Sequence, residues 1–539
     1  MVFIVDDLSL ERLLVSREVR SLAHAGGAAL LGPGTPVDRA LTGSFEPQPR
    51  TNLGGPGVFV AAPYDPEATP EEIGKQIERA ASITAGTDPS GLMVVVVGGS
   101  TSPSMLRQRD ELLPIVLASG DIREIFSLSG PARTLTSAST NRDGVVTAED
   151  VPVTILNFLR KPIRGAVGGA PIELVDEEPP FETHQRYLAQ RRMYVPIGTG
   201  AAIAVTLFGF GCVALIWLRR RIPRIARTVG PWLALATPAL AIGLLAAGNL
   251  RTLNYATVLP FVIGVTIVLP VAALSSRRNG VLRPPALLGA AVLVFFAAEA
   301  LLGWPATLHT FIGGTALDGA RFYGLPNVFI GLLLGSGLYL ASVLRPYTGF
   351  VLLVGIGLFC GFPSLGANFG AAVTLFAAAG LWLALSKQRG FRIRGLAITA
   401  GTLIAGTALV LIANALAPAA THITGFVEEG GGGPGGILQA FLDRLGIGWD
   451  LLMRNPFAFV PVVGVLACLW LVLRPPRPIR ESLDRYPQWR TALLVIVLGS
   501  IVAYFVNDTG PAAAGLGFGL AIGGLFYVPL AEEPVKMER

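Results

Sequence analysis

From Tyr194 onward, long apolar stretches alternate with short segments that contain most of the charged residues. The first stretch, residues 195–218, contains no charged residue and is followed by five arginines within nine positions. An apolar stretch of about 20 residues can cross a hydrocarbon core of about 30 Å as an α-helix. The pattern predicts about eleven transmembrane helices, at residues 194–218, 229–247, 257–275, 285–303, 325–344, 347–362, 370–386, 395–416, 456–473, 491–507 and 512–531.

The part of the chain before Tyr194 has a different pattern, in which short apolar runs alternate with amphipathic stretches. Continuous apolar runs of four to eight residues are typical of buried strands, and spacing of three or four residues is typical of helices. The alternation predicts an α/β domain at residues 1–173 with a mostly parallel sheet. Strands are predicted at residues 2–5, 57–62, 92–97 and 113–118, and helices at 9–25, 69–85 and 150–159.

The domain organisation predicted from these patterns has four parts. An extracytoplasmic domain spans residues 1–173, and an acidic linker spans residues 174–193. An all-α membrane domain of about eleven helices spans residues 194–531, and a cytoplasmic tail spans residues 532–539.

Composition supports a membrane protein. Of the 539 residues, 52% are hydrophobic and 14% are charged, whereas soluble proteins have about 25% charged residues. Before Tyr194 there are 18 Lys and Arg against 24 Asp and Glu, and from Tyr194 onward there are 24 against 12. The basic excess therefore belongs to the membrane loops, and no nucleic-acid partner is predicted.

The basic residues of these loops predict an orientation. If the eleven helices cross in turn, 20 of the 24 Lys and Arg residues lie on one side and four on the other. Because basic loops are retained in the cytoplasm, the N-terminus is predicted outside and the C-terminus inside. No signal peptide is recognisable at Met1, so either an export segment precedes the given sequence or the topology is inverted. The consistent distribution of charge among the loops favours the first alternative.

Several segments of the N-terminal part resemble the alkaline phosphatase superfamily. The segments are residues 2–7 (VFIVDD), the apolar run 92–97, the Pro-led run 113–117 and residues 149–156 (EDVPVTIL). The resemblance implies an alkaline-phosphatase-like fold and two metal ions bound by Asp and His. In the family an acidic residue ends the first strand and binds metal, which makes Asp6 and Asp7 the candidates here.

The other metal ligands of that family have no counterpart. Residues 98–100 (GGS) stand where the family has an Asp-His pair, and no His precedes Thr154. A two-metal phosphoryl-transfer site needs several such ligands and a nucleophile. The interpretation is a domain that has lost its metals and its catalytic activity, with no cofactor. Asp6 and Asp7 then remain as residues at the end of a strand or as a helix cap.

The predicted outer side of the membrane domain contains the candidate functional residues. Glu299 lies inside a predicted span, where an ionisable side chain is costly and marks a possible functional site. The candidates for a catalytic or substrate-binding role are Glu299, His309, Asp318, Arg321 and His422. Arg321 is the candidate for binding phosphate, since its planar guanidinium matches two phosphate oxygens.

Residues 319–327 (GARFYGLPN) are similar to a segment of O-antigen ligases and polymerases, which are envelope glycan enzymes with many spans. The resemblance implies a membrane lipid or lipid-linked substrate. The first hypothesis is therefore a cell-envelope protein that acts on or binds a lipid-linked glycan or phosphate-bearing polymer at the outer face. The alternatives are a transporter or flippase, with Glu299 and Asn368 on its path, and a metal-dependent phosphotransferase or phosphatase. Whether the protein is an enzyme is left open.

Overall fold

The structure is a computed structural model of the whole chain. It divides into two compact units, Met1–Leu188 with Gly314–Tyr323, and Ala189–Gly313 with Gly324–Arg539. The residues it describes are 2–6, 17, 19, 23, 27–31, 72, 75, 77, 92–99, 113–120, 133–140, 143–147, 150–158, 160, 170–177, 181–219, 221–302, 306–312, 324–387, 393–416, 446, 449, 459–507 and 511–532.

The first unit contains a mixed sheet of seven strands in the described residues. The strands are β1 (Val2–Asp6), β2 (Gly27–Leu31), β3 (Leu92–Gly99), β4 (Leu113–Gly120), β5 (Thr134–Ser137), β6 (Val145–Val146) and β7 (Ile172–Val175). Their order is β1-β3-β4-β2-β5-β7, with β6 beside β2. β1 pairs with β3 in parallel, but β4 is antiparallel to both β3 and β2, and β7 is antiparallel to β5.

The prediction of a soluble, mostly parallel α/β domain like that of alkaline phosphatase is therefore wrong. The strand positions 2–5, 92–97 and 113–118 are confirmed, but β4 runs opposite to both of its neighbours. Apolar runs mark buried strands without encoding the direction of their partners, which only the connections decide. The predicted strand at 57–62 lies outside the described residues.

Helix α1 (Asp150–Phe158) follows β6 and begins at a buried carboxylate. Asp150 accepts hydrogen bonds from the Ser139 hydroxyl at 2.6 Å, from the Thr147 backbone N–H at 2.7 Å and from the Ala170 backbone N–H at 2.8 Å. Three donors satisfy the buried charge and join segments that are 20 residues apart. This part of the phosphatase-like segment 149–156 therefore has a structural role here.

The second unit consists of helices. After α2 (Phe181–Leu218), which begins in the first unit, come α3 (Pro223–Ala247), α4 (Tyr255–Ser275), α5 (Arg283–Leu302), α6 (Phe329–Ala341) and α7 (Pro346–Gly361). They are followed by α8 (Phe369–Lys387), α9 (Ile393–Ala415), α10 (Phe459–Leu473), α11 (Arg477–Arg485), α12 (Pro487–Val506) and α13 (Pro511–Ala531). Two short 3₁₀ helices, Ser276–Asn279 and Ala306–His309, lie between them.

Eight helices in the described residues are long and apolar enough to cross a membrane. The protein is thus a multi-pass, membrane-embedded protein. The prediction of about eleven spans is too high by this criterion, because α6, α7 and α10 have only 13, 16 and 15 residues. A helix rises about 1.5 Å per residue, so these three are shorter than the roughly 30 Å hydrocarbon core.

The core of this unit lies around α3, α6, α8, α12 and α13, whose contact faces contain many small residues. The Tyr339 hydroxyl of α6 donates to the Leu520 carbonyl of α13, and the Trp489 ring N–H of α12 donates to the Gly524 carbonyl at 3.1 Å. Small residues allow such close approach of helices in membranes. By contrast, only 6% of the most apolar stretch of α2 and of α9 is buried, so these two helices are peripheral.

Candidate lipid-binding cavity

A cavity of about 340 Å³ lies between the middle of α2, the C-terminal half of α3 and the first half of α13. Only two of its sixteen lining residues, Tyr194 and Thr237, have a polar side chain. The volume is within the usual range for small-molecule sites, about 300–1,000 Å³. The remaining lining residues are Gly198, Ala201, Ala202, Val205, Leu240, Ala241, Leu244, Phe311, Ile312, Leu332, Gly515, Leu516, Gly519 and Leu520.

The cavity exists because α2 packs closely at one end and loosely at the other. A Cβ atom added at Gly211 would lie 2.5 Å from the Leu233 side chain of α3, so the helices touch there. A Cβ added at Gly198 would meet nothing within 4 Å. The two helices therefore diverge toward the N-terminal end of α2. From Tyr194 to Val205 the cavity extends about 16 Å along α2, at 1.5 Å per residue.

Residues 306–312, here called the 306–312 segment, close the end of the cavity near Tyr194. Phe311 and Ile312 line the cavity, and the Phe311 backbone N–H donates to the Leu244 carbonyl of α3 at 3.1 Å. The Asn249 side chain donates to the Ala306 carbonyl at 3.2 Å. These bonds attach the segment to the end of α3.

Glu299, near the end of α5, holds the same segment. Its Oε1 atom accepts hydrogen bonds from the Thr307 backbone N–H at 2.9 Å and from the Thr307 hydroxyl at 2.6 Å. A carboxylate that accepts from a backbone N–H is a strong acceptor. At Gly248 any Cβ would overlap the His309 carbonyl oxygen, so the segment also needs a glycine beneath it.

Gln190 on α2 reaches the segment from the opposite side. Its Nε2 donates to the Thr310 carbonyl, and its side chain is fully buried. Its Oε1 is buried as well and accepts no hydrogen bond from any residue that the structure describes. Gln190 does not line the cavity itself, but its partner Thr310 directly precedes Phe311, which does.

Two of the five predicted site residues belong to this region. Glu299 accepts hydrogen bonds from Thr307 of the 306–312 segment, and His309 is a buried residue of the same segment. Asp318, Arg321 and His422 lie outside the described residues, so their roles stay predictions. Asp6 ends β1, and Asp7 lies outside the described residues. Among the described residues, no group of three His, Cys, Asp or Glu side chains is placed to hold a metal ion.

Asn368, predicted on a transport path, joins the α7–α8 connection to the chain before α6. Its Nδ2 donates to the Leu325 carbonyl at 2.7 Å and to Asn327 Oδ1 at 2.8 Å. Its Oδ1 accepts from the Ala371 backbone N–H at 2.9 Å, which caps the start of α8. All three bonds are buried, and they give Asn368 a structural role.

Gln190, Thr307 and the residues that line the cavity are not recognisable as functional residues from the sequence. One weak signal was present, since the small residues at 198, 201 and 202 share one helix face, although the same span also has small residues at 200, 204, 209 and 211. Gln190 had no comparable signal, because its role depends on Thr310, which is 120 residues away. No family model, curated protein or solved structure matches this chain.

Proposed function

We propose that this multi-pass membrane protein binds a lipid-linked glycan or phosphate-bearing polymer at the outer face of the membrane, with the lipid chain in the cavity. The cavity is the observation that supports the proposal. It lies within membrane-spanning segments, and its lining is almost entirely apolar. Hydrocarbon is the abundant apolar material at that depth, and an alkyl or polyprenyl chain matches such a lining.

The length of the cavity fits one leaflet. About 16 Å along α2 is close to half of a hydrocarbon core of about 30 Å. A lipid standing in its own leaflet can therefore keep its polar end at the surface and its chain in the cavity. The loose packing of α2 near Gly198 allows the chain to enter from the side.

The outer face is assigned from the distribution of basic residues. The cavity-lining residues of α2 lie in the first half of its apolar span, Arg192–Leu218, and the arginine cluster at 219–227 follows the end of that span. Basic clusters favour the cytoplasmic side, so the cavity belongs to the outer leaflet. Cysteine labelling of intact cells tests this assignment. A Cys at Ser139 should react and one at the exposed Arg224, near the start of α3 and directly after α2, should be protected, and the reverse pattern would place the cavity in the inner leaflet.

The function is tested by filling the cavity. Gly198→Leu directs a side chain from a cavity-lining position into open space, where it would overlap a bound chain. Gly200→Leu is the matched control, since residue 200 is exposed on the same helix and does not line the cavity. Overlap of this kind costs about 1–3 kcal/mol, so we expect roughly ten-fold weaker binding for Gly198→Leu alone.

Two measurements read out the effect on the purified full-length protein. Mass spectrometry identifies the lipid that copurifies from native membranes, and a scintillation proximity assay measures binding of tritiated dodecanol. Both signals should fall for Gly198→Leu and persist for Gly200→Leu. Equal lipid content and equal probe binding in the two variants would show that the cavity is not a lipid site, and the proposal would be wrong.

A further inference from the structure

The outward face of α10 ends at an exposed arginine. Leu466, Trp470 and Leu473 are each more than half exposed, and their spacing places them on one face of the helix. Arg474 lies one turn after Trp470 on the same face, its backbone N–H donates to the Trp470 carbonyl at 2.7 Å, and its side chain is exposed. An exposed tryptophan near the end of an apolar helix is typical of the membrane–water interface. Arg474 is therefore at the depth of the lipid head groups.

A second arginine lies beside it, on α11. The Arg480 guanidinium donates through Nη2 to the Pro475 carbonyl at 3.2 Å, and Pro475 directly follows Arg474. Helix α11 packs against α12 and α13 and buries Ile479 and Leu483, whereas Arg480 is exposed. The two arginines are therefore neighbours on the surface of the second unit.

These two arginines differ from the others in the same stretch, because neither has a carboxylate partner among the described residues. Residues 474–490 contain five arginines and two acidic residues. The other three arginines form ion pairs of 2.9–3.3 Å, which are Arg477 with Glu481, Arg485 with Glu532 and Arg490 with Asp484. These pairs use both acidic residues of the stretch, so two neighbouring positive charges remain without a counter-charge. Like charges repel, and an anion between them would remove this cost.

We propose that Arg474 and Arg480 bind the phosphate of an anionic phospholipid, whose acyl chains lie along the outward face of α10. The planar guanidinium group matches two phosphate oxygens. Leu466 and Trp470 lie directly before Arg474 on that face and offer apolar contact, which a soluble phosphate would not use. None of these residues lines the cavity, so the inference does not depend on the proposed function.

Native mass spectrometry of the purified full-length protein tests the site by measuring how much added lipid the protein retains. Phosphatidylglycerol has a net negative charge, whereas phosphatidylcholine has the same phosphate but no net charge. The unmodified protein should bind phosphatidylglycerol more tightly. A basic residue near a membrane surface contributes about 1 kcal/mol to the attraction of anionic lipid, so Arg474→Gln and Arg480→Gln should each lower the ratio of the two affinities about five-fold.

Arg477→Gln is the matched control. It removes the same formal charge from the same helix as Arg480→Gln, but Arg477 is already paired with Glu481. Exposed ion pairs contribute little, so the ratio of affinities should change less than about two-fold in this variant. The cavity is the same in all of these proteins, so lipid bound there does not contribute to the difference. A ratio is also insensitive to a general loss of binding, which separates the contact from a merely structural role.

Three outcomes would overturn the proposal. Equal affinity for phosphatidylglycerol and phosphatidylcholine in the unmodified protein would show that no anionic lipid is selected. An equal fall of the ratio in Arg477→Gln and Arg474→Gln would indicate a diffuse attraction of charge and no defined site. Glycerol 3-phosphate at the same concentration should leave phosphatidylglycerol bound, and full displacement would mean that the arginines bind a soluble anion.

Discussion

Replacing Glu299 by leucine should release the 306–312 segment and destabilise the protein. Glu299 Oε1 accepts two hydrogen bonds from Thr307, at 2.9 Å from the backbone N–H and at 2.6 Å from the hydroxyl. Thr307 is buried, so both donors would lose their acceptor in a site with little access to water. Hydrogen bonds to a charged group contribute about 1.5–3 kcal/mol each. Because Glu299 itself is half-buried, we take the lower value for each and expect a loss of about 3 kcal/mol.

Two further variants separate the contribution of the Thr307 hydroxyl from that of the Glu299 charge. Thr307→Val removes only the hydroxyl bond and should cost about 1.5 kcal/mol, and the double variant should cost less than the sum of the single ones. Glu299→Gln keeps an acceptor oxygen at the same position but loses the charge. Neutral hydrogen bonds contribute about 0.5–1.5 kcal/mol each, so glutamine should cost only about 1–2 kcal/mol.

The three buried cysteines provide a thermal-unfolding assay for these variants. Cys212, Cys360 and Cys468 are free and buried, so a thiol-reactive dye reports their exposure as the purified protein unfolds on heating. The expected order of unfolding temperatures is unmodified protein, Glu299→Gln, Thr307→Val and then Glu299→Leu, with the first two variants close together. An unchanged unfolding temperature in Glu299→Leu would refute the role of Glu299 in holding the 306–312 segment. A stable Glu299→Gln protein that keeps its lipid but has lost its cellular function would instead favour the transport hypothesis, in which Glu299 lies on the transport path.

Two other predictions concern the second unit. Asn368→Ala should lower the free energy of unfolding by about 3 kcal/mol, because it removes a helix cap and the donor to Leu325 and Asn327. Asn368→Ser keeps a capping oxygen and should cost less in the same dye assay; equal losses would mean that the cap contributes little. Burial, together with the hydrogen bond to Glu532 and its charge, raises the pKa of Tyr486 from 10.0 to about 12. The folded state therefore holds the Tyr486 hydroxyl proton more tightly than the unfolded state does. The resulting contribution to stability is complete below about pH 10 and is lost as the pH rises toward 12. Tyr486→Phe should weaken this alkaline decline in unfolding temperature, and an identical decline in the variant would contradict the assignment.

The positions of most helices could be predicted from the sequence alone. Long apolar runs become helices in a membrane because every backbone N–H and C=O must be bonded within the segment. The first run, 194–218, is part of α2, and the run 370–386 matches α8 within one residue at each end. The runs at 325–344 and 347–362 form shorter helices, since apolar composition alone does not determine where a helix ends.

The pairing of the strands could not be predicted in the same way. Residues 92–97 and 113–118 form strands as expected, but they are antiparallel neighbours rather than members of a parallel sheet. The resemblance to the alkaline phosphatase family was based on the order of elements, and order is compatible with several pairings. A strand's apolar side chains are buried equally well beside a parallel or an antiparallel partner, so its own pattern does not contain the direction.

In the candidate site as well, some features are visible in the local sequence and others depend on residues that are far apart in the chain. Glu299 was recognisable as an ionisable residue in an apolar run, and its partner Thr307 is only eight residues away. The cavity and Gln190 were decided by the tertiary structure, because the lining comes from α2, α3 and α13, and Thr310 is 120 residues from Gln190. Burial of an apolar segment depends on its own composition, whereas a gap between helices depends on side chains that meet only after the chain has folded.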